Sequence, residues 1–80
     1  MTYTLYLYRD HLKNDFSLPM IEVNDQVMTR NFENRCKTDP SISFAPGDYD
    51  LFKVGTFDTE SGLFQTSIPE FIVNGGSLIG

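Results

Sequence analysis

The sequence predicts an α+β domain, with a mainly antiparallel sheet of three to four strands and one helix packed on one face. Two aromatic-rich segments, 2–9 and 49–57, alternate with the two-residue period of β-strands. Between them, one segment shows the apolar spacing of an amphipathic helix. A chain of 80 residues is long enough for one such domain.

The first predicted strand has apolar or aromatic side chains on both faces. Tyr3 and Leu7 lie on one face, and Tyr6 and Tyr8 lie on the other. We expect the helix to cover the first of these faces and to leave the tyrosine face open. The polar segment 10–18 that follows is expected to be irregular. Residues 18–23 are expected to form a short extended segment, because Pro19 biases the residue before it towards an extended conformation.

The helix is predicted over residues 25–37. Asn24 is its expected N-cap, because an Asn side chain accepts a hydrogen bond from a free amide of the first turn. Met28, Phe32 and Cys36 follow the i, i+4, i+8 spacing of one buried stripe. Cys36, the single cysteine, is therefore interpreted as a packing residue rather than a reactive thiol.

The second strand is expected to continue into a hairpin. Residues 58–62 have the length and the terminal glycine of a bulged hairpin loop, and 63–66 would return antiparallel. Gly55, inside the strand, is expected to mark a bulge or a close backbone approach. The domain is therefore placed at residues 1–68, and 69–80 is expected to be a weakly ordered tail or one covered by a partner.

Charge is distributed unevenly along the chain. Eleven acidic residues oppose six basic ones, for a net charge of −5, and Lys53 is the only cation after residue 37. Such a chain is repelled by nucleic acid unless its cations gather on one face. The available cations are Arg9, Lys13, Arg30, Arg35, Lys37 and Lys53. Tyr6 and Tyr8, close to Arg9, resemble a platform on which bases stack.

Neither catalytic nor metal-binding residues form a recognisable set. His11 is the only histidine, and its neighbours supply neither a nucleophile nor an orienting partner. The four acidic residues between 48 and 60 lack the alternate spacing of a calcium loop. We therefore expect a non-enzymatic protein with no metal and no other cofactor.

The N-terminal sequence and the hydropathy lead us to expect an intracellular setting. The first ten residues lack the basic start and apolar run of a signal peptide. No stretch approaches the roughly 20 apolar residues that cross a bilayer, so no membrane contact is expected. A single cysteine permits neither an intrachain disulfide nor a cysteine-based zinc site.

One stretch of the sequence is distinctive. Residues 46–58 read PGDYDLFKVGTFD and are followed by Gly62. This stretch resembles the pattern P-x-D-Y-x-L-F-x-x-G-x-F-D…G in the small nonstructural protein of gokushovirus-type microviruses, bacteriophages with circular single-stranded DNA. The opening strand, LYLYRD at 5–10, and the helix that ends before Pro40 are similar too, so that the resemblance covers residues 3–64.

The resemblance implies a non-enzymatic viral protein in the host bacterial cytoplasm that binds single-stranded DNA or the replication complex and supports single-stranded genome synthesis. The alternative is a protein–protein adaptor that acts on the replication initiator, host polymerase or procapsid without DNA contact. The net negative charge of the chain favours the adaptor. We also expect a homodimer to cover the open sheet face, because so small a domain has a thin core.

Overall fold

A computed structural model describes residues 1–79 and confirms the α+β class. One antiparallel sheet of five strands is packed against helices on one side. The strands are β1 (Thr2–Asp10), β2 (Asp15–Phe16), β3 (Met20–Glu22), β4 (Tyr49–Asp58) and β5 (Phe64–Asn74). The helices are α1 (Asp25–Thr38), α2 (Pro40–Ser43) and α3 (Gly75–Ile79), and a 3₁₀ turn spans Pro46–Asp48.

The sheet has the strand order β2-β1-β4-β5, and β3 also pairs with β1. The short strands β2 and β3 therefore share one edge, beside different parts of β1. They bring the sheet to five strands instead of the expected three to four. Strand β3 lies in the segment 18–23 that was expected to be extended. Strand β2 lies in the segment that was expected to be irregular, because two residues are too few to display a strand period.

Helix α1 forms as its sequence predicts. The Asn24 side chain accepts a hydrogen bond of 2.9 Å from the amide of Val27, which confirms it as the N-cap. Asp25 lies in the first turn, and Arg35 and Lys37 lie in the last, where each charge opposes the helix dipole. The backbone turns extended at Asp39, next to Pro40.

The core lies between α1, α2 and the two central strands. The predicted helix stripe of Met28, Phe32 and Cys36 is at most 4% exposed, which confirms its burial. It packs against Tyr6 of β1, Leu51 of β4 and Ile42 of α2. Each of these three is at most 1% exposed.

Helix α1 covers the tyrosine face of β1, so the expectation that this face stays open is wrong. Tyr6 has no exposed surface, and its hydroxyl donates a 2.7 Å hydrogen bond to the carboxylate of Asp25 in α1. The ring centroid of Tyr8 lies 6.0 Å from that of Phe32. Alternation separates the two faces of a strand, but it does not reveal which one meets the helix.

Gly55 occupies a bulge, as predicted. Along β1 the pairing passes from Leu5 opposite Gly55 directly to Tyr6 opposite Lys53, which leaves one residue of β4 extra. Gly55 has a φ of +152°, and a Cβ there would lie 2.0 Å from the carbonyl oxygen of Gln65 on β5. Only glycine fits so close an approach between the two strands.

The chain after Pro69 continues β5 and then forms α3, where the sequence predicted a weakly ordered or partner-covered tail. Val73 pairs with Leu51, and Leu78 packs against the core. Gly75 is buried where a Cβ would approach Cys36 Sγ to 2.9 Å. Pro69 interrupts the strand pattern in the sequence, and the pairing of β5 with β4 changes register near it. The continuation of the strand is therefore not evident from the sequence.

The burial of Cys36 leads to a first testable expectation. Its thiol is 2% exposed, and burial, followed by the charge of Glu33, raises its pKa. Under native conditions it should react with a thiol reagent much more slowly than in the unfolded chain. The Cys36→Ala variant should lose about 1–2 kcal/mol of unfolding free energy through the small cavity it leaves. Fast labelling with unchanged stability would contradict this packing role.

Candidate functional site

Strand pairing divides the charged residues between the two faces of the sheet. Directly opposed residues of an antiparallel ladder point to the same face. The partners of Tyr6 and Tyr8, and of the β1 residues that alternate with them on the same face, therefore lie on the helix side. Five of the six strand acids fall there, namely Asp10, Asp15, Glu22, Asp58 and Glu70. The sheet therefore carries most of its negative charge on the side that the helices cover.

The opposite side of the sheet, here called the helix-free face, is aromatic and almost uncharged. Its aromatic members are Tyr3, Phe16, Phe52, Phe57, Phe64 and Phe71. Its strand residues include one cation, Arg9, and one acid, Asp50. Two side chains contact the carboxylate of Asp50: His11 Nε2 lies 2.5 Å from one oxygen, and the Asn74 amide donates a 2.7 Å hydrogen bond to the other.

Three phenylalanines form an aromatic row across the helix-free face. Phe16 on β2 lies 5.7 Å from Phe52 on β4, and Phe52 lies 6.0 Å from Phe71 on β5, with edge-to-face ring angles of 71° and 78°. Phe16 and Phe71 are 38% and 56% exposed. The Arg9 guanidinium lies 4.8 Å from the centroid of the Phe16 ring, within cation–π range.

The structure brings three predicted cations to one end of the sheet. Arg9 lies on the helix-free face, where it also donates a hydrogen bond to the side chain of Asn14. Lys13 and Arg35 line a cleft of about 540 Å³ between segment 13–20 and the helices. The ring of Phe16 borders both the cleft and the aromatic row.

Two other predicted cations already have acidic partners. Lys37 Nζ lies 2.9 Å from Glu33 one helical turn earlier. Lys53 Nζ lies 3.1 Å from Asp25 and 3.9 Å from Glu70, and the hydrogen bond to Asp25 raises the pKa of the lysine. These charges are neutralised locally, so they offer less to a phosphate than the cations at the sheet end.

The remaining predicted cation, Arg30, is exposed on α1 and does not line this cleft. Within residues 1–79, no ion pair involves Arg9, Lys13, Arg30 or Arg35. Of these four, Arg9 contacts the ring of Phe16, and Lys13 and Arg35 line the cleft that Phe16 also lines.

The two predicted stacking tyrosines lie on the helix side. Tyr6 is fully buried, and a ring with no exposed surface cannot stack on a base. Tyr8 is half-buried between the rings of Phe32 and Tyr49, and it borders the cleft. The sequence reasoning missed the aromatic row, in which Phe16 and Phe71 are exposed and Phe52 is half-buried. Leu51 is buried on the helix side, and alternation in β4 puts Phe52 on the opposite face. This alternation is the sequence signal that could have predicted an aromatic residue on the helix-free face.

The described chain contains no grouping of three or more His, Cys, Asp or Glu side chains suited to a metal ion. None of the helices in residues 1–79 is long and apolar enough to cross a membrane.

Together, the fold and the face define a small α+β domain with an open, aromatic sheet surface. Residues 3–78 match the model of the family described as Phage ORF5 protein, and the chain therefore belongs to that phage family. No curated protein and no solved structure matches the chain. The resemblance to a bacteriophage protein, drawn from the motif at 46–58, is confirmed at the level of a phage family.

Proposed function

We propose that this phage protein binds single-stranded DNA on its helix-free face and, without a catalytic step, supports synthesis of the viral genome in the host bacterial cytoplasm. The phage is, in this proposal, a gokushovirus-type microvirus. The aromatic row of Phe16, Phe52 and Phe71, with Arg9 beside it, carries the proposal. Exposed rings next to cations are the elements with which proteins hold unpaired bases and their phosphates.

The segregation of charge makes DNA contact compatible with a net charge of −5. Five strand acids point to the helix side, and Asp50 on the helix-free face is engaged by His11 and Asn74. Arg9 lies on this face beside the ring of Phe16. Lys13 and Arg35 line the adjoining cleft, which also contains the acids Asp10 and Asp15.

The chemistry of the face favours single strands over duplex. Stacking on phenylalanine requires a free base face, and a duplex hides its base faces in the stack. The few available cations give weak attraction to a phosphate backbone alone. Discrimination between the two forms of DNA is therefore expected to come from the rings, and the cations are expected to set the salt dependence.

A second candidate function is the protein–protein adaptor, and one observation favours it. Outside the strands of the helix-free face, Leu12, Leu18 and Phe44 are each between 85% and 94% exposed. A partner that covered these side chains would remove their apolar surface from water, and an acidic chain suits a basic partner such as a replication initiator.

The deciding experiment is a titration of labelled oligothymidylate and of duplex DNA at about 50 and about 200 mM salt. Three phosphate contacts predict a log–log salt slope of about −2 for single strands, at roughly 0.7 per contact. Duplex should bind more weakly at both concentrations. Absence of single-strand binding at the lower salt concentration would rule out the proposal and favour the adaptor.

Two variants separate stacking from charge. Phe71→Ala should weaken single-strand binding about 5- to 150-fold, the equivalent of about 1–3 kcal/mol per stacked base, with the salt slope unchanged. Arg9→Gln should reduce the magnitude of the slope by about 0.7. Phe44→Ala removes an equally large ring that is 94% exposed outside the face, and it should bind like the wild type. Equal losses in both phenylalanine variants would contradict a specific aromatic row.

A further inference from the structure

We propose that, in the absence of DNA, a second copy of the chain covers the helix-free face, and that single-stranded DNA and the second copy compete for it. The competition rests on the proposed function, whereas the pairing of copies does not. The face has the charge and the dimensions that such an interface requires, and it is the side of the sheet opposite the helices.

Charge identifies the face through which two copies can meet. Each chain carries a net charge of −5, so that two copies repel each other in most orientations. The helix-free face is nearly neutral, with Arg9 and Asp50 as its charged strand residues. Two copies related by a twofold axis would bring the same uncharged surface together, and such a self-complementary patch is what a symmetric dimer uses.

The dimensions of the face also fit. The chain measures 40 × 23 × 18 Å. The projection bounded by the two longer dimensions is about 900 Å², comparable with the roughly 800 Å² that each partner buries in a stable interface. The face is therefore just large enough for a dimer, provided that most of its length is used. A dimer of this size would be of moderate strength, and a ligand could displace it.

The aromatic side chains supply the driving force. Phe64 and Phe71 are 63% and 56% exposed, and Phe52 is half-buried between Phe71 and Phe16. Covering large exposed rings removes apolar surface from water, and aromatic residues are enriched at the centres of protein interfaces. The same rings cannot stack on bases while a second copy covers them, so the two states exclude each other.

Sedimentation equilibrium over micromolar to millimolar chain concentrations tests the pairing, with and without oligothymidylate. The free protein should change from the mass of one chain to that of two. Saturating oligothymidylate should dissociate the dimer, so that each bound chain occupies its own site on the oligonucleotide and makes no pair with a second chain. Added salt should leave the dimer unchanged or strengthen it, because apolar burial is not screened.

The outcomes separate this inference from the proposed function. A single-chain mass at every concentration would overturn the pairing, whether or not DNA binds. A dimer that takes up DNA without dissociating would overturn the competition. A dimer that binds no DNA would support the covering copy and overturn the proposed function.

A pair of variants locates the interface. Phe71→Asp places a charge in the aromatic row and should raise the dimer dissociation constant at least about tenfold. Phe44→Asp adds the same charge at a phenylalanine that is 94% exposed outside the face, and its dimer should resemble the wild type. Circular dichroism should show that both variants remain folded. If Phe44→Asp dissociates the dimer and Phe71→Asp does not, the copies meet elsewhere.

Discussion

The Gly55→Ala variant is expected to lose about 3 kcal/mol or more of unfolding free energy. The added Cβ would lie 2.0 Å from the Gln65 carbonyl oxygen and 2.9 Å from the Cα of Thr66. Both are backbone atoms of the neighbouring strand, so neither can move aside as a flexible side chain would. The φ of +152° is also one that alanine rarely adopts. Strands β4 and β5 would have to separate at the bulge.

Urea unfolding followed by circular dichroism measures this loss. Gly47→Ala is the matched control, because a Cβ at Gly47 meets no atom within 4 Å and the backbone there is not left-handed. That variant should change stability by less than about 1 kcal/mol. Similar values for the two variants would show that the strands do not approach each other at Gly55.

Tyr6→Ala is expected to cost about 3–5 kcal/mol, the usual loss for a large buried ring. Tyr6 has no exposed surface, and it packs with Phe32 and Leu51 in the centre of the core. The substitution leaves a cavity and also removes the hydroxyl that donates to Asp25. In a domain of this size such a loss can abolish folding.

Tyr6→Phe keeps the ring and tests the hydrogen bond alone. The hydroxyl of Tyr6, with Lys53 adding to it, lowers the pKa of the Asp25 carboxyl. A lowered pKa in the folded state stabilises the protein above the pKa of the unfolded chain, and that contribution is lost as the pH falls through the folded value. Without the hydroxyl, the pKa of Asp25 moves back towards its ordinary value of about 3.9.

The expected result for Tyr6→Phe is therefore a loss of about 0.5–1.5 kcal/mol at neutral pH. The variant should also lose less stability than the wild type as the pH falls below about 4. Unfolding free energies at neutral pH and along an acid series measure both effects. Parallel pH curves for the two proteins would contradict the influence of Tyr6 on Asp25.

The motif that resembles phage proteins is explained by packing. Within it, Leu51 is fully buried in the core, Tyr49 packs against the core and donates a hydrogen bond to the Ser41 carbonyl, and Gly55 forms the bulge. Phe52 is the member that faces away from the helices. The motif thus encodes mainly the fold of the central strand, and one of its residues belongs to the candidate site.

The local features of this protein are readable from its sequence. Asn24 caps α1, the spacing of Met28, Phe32 and Cys36 defines its buried stripe, and Gly55 marks the bulge. Each of these signals depends on residues within a few positions of one another, or on a conformation that only one residue type adopts. The α+β class follows from the same short-range periods.

Only the tertiary structure decides which face of the sheet is open and what lies on it. Alternation places Tyr6 and Leu7 on opposite sides, but the choice between those sides depends on how α1 docks. The aromatic row joins Phe16, Phe52 and Phe71 from three strands, and their separation along the chain leaves no period that connects them. Strand register brings them together, and it also directs the acids of the same strands to the covered side. Register is a contact between distant segments, and it is therefore absent from any local pattern of the sequence.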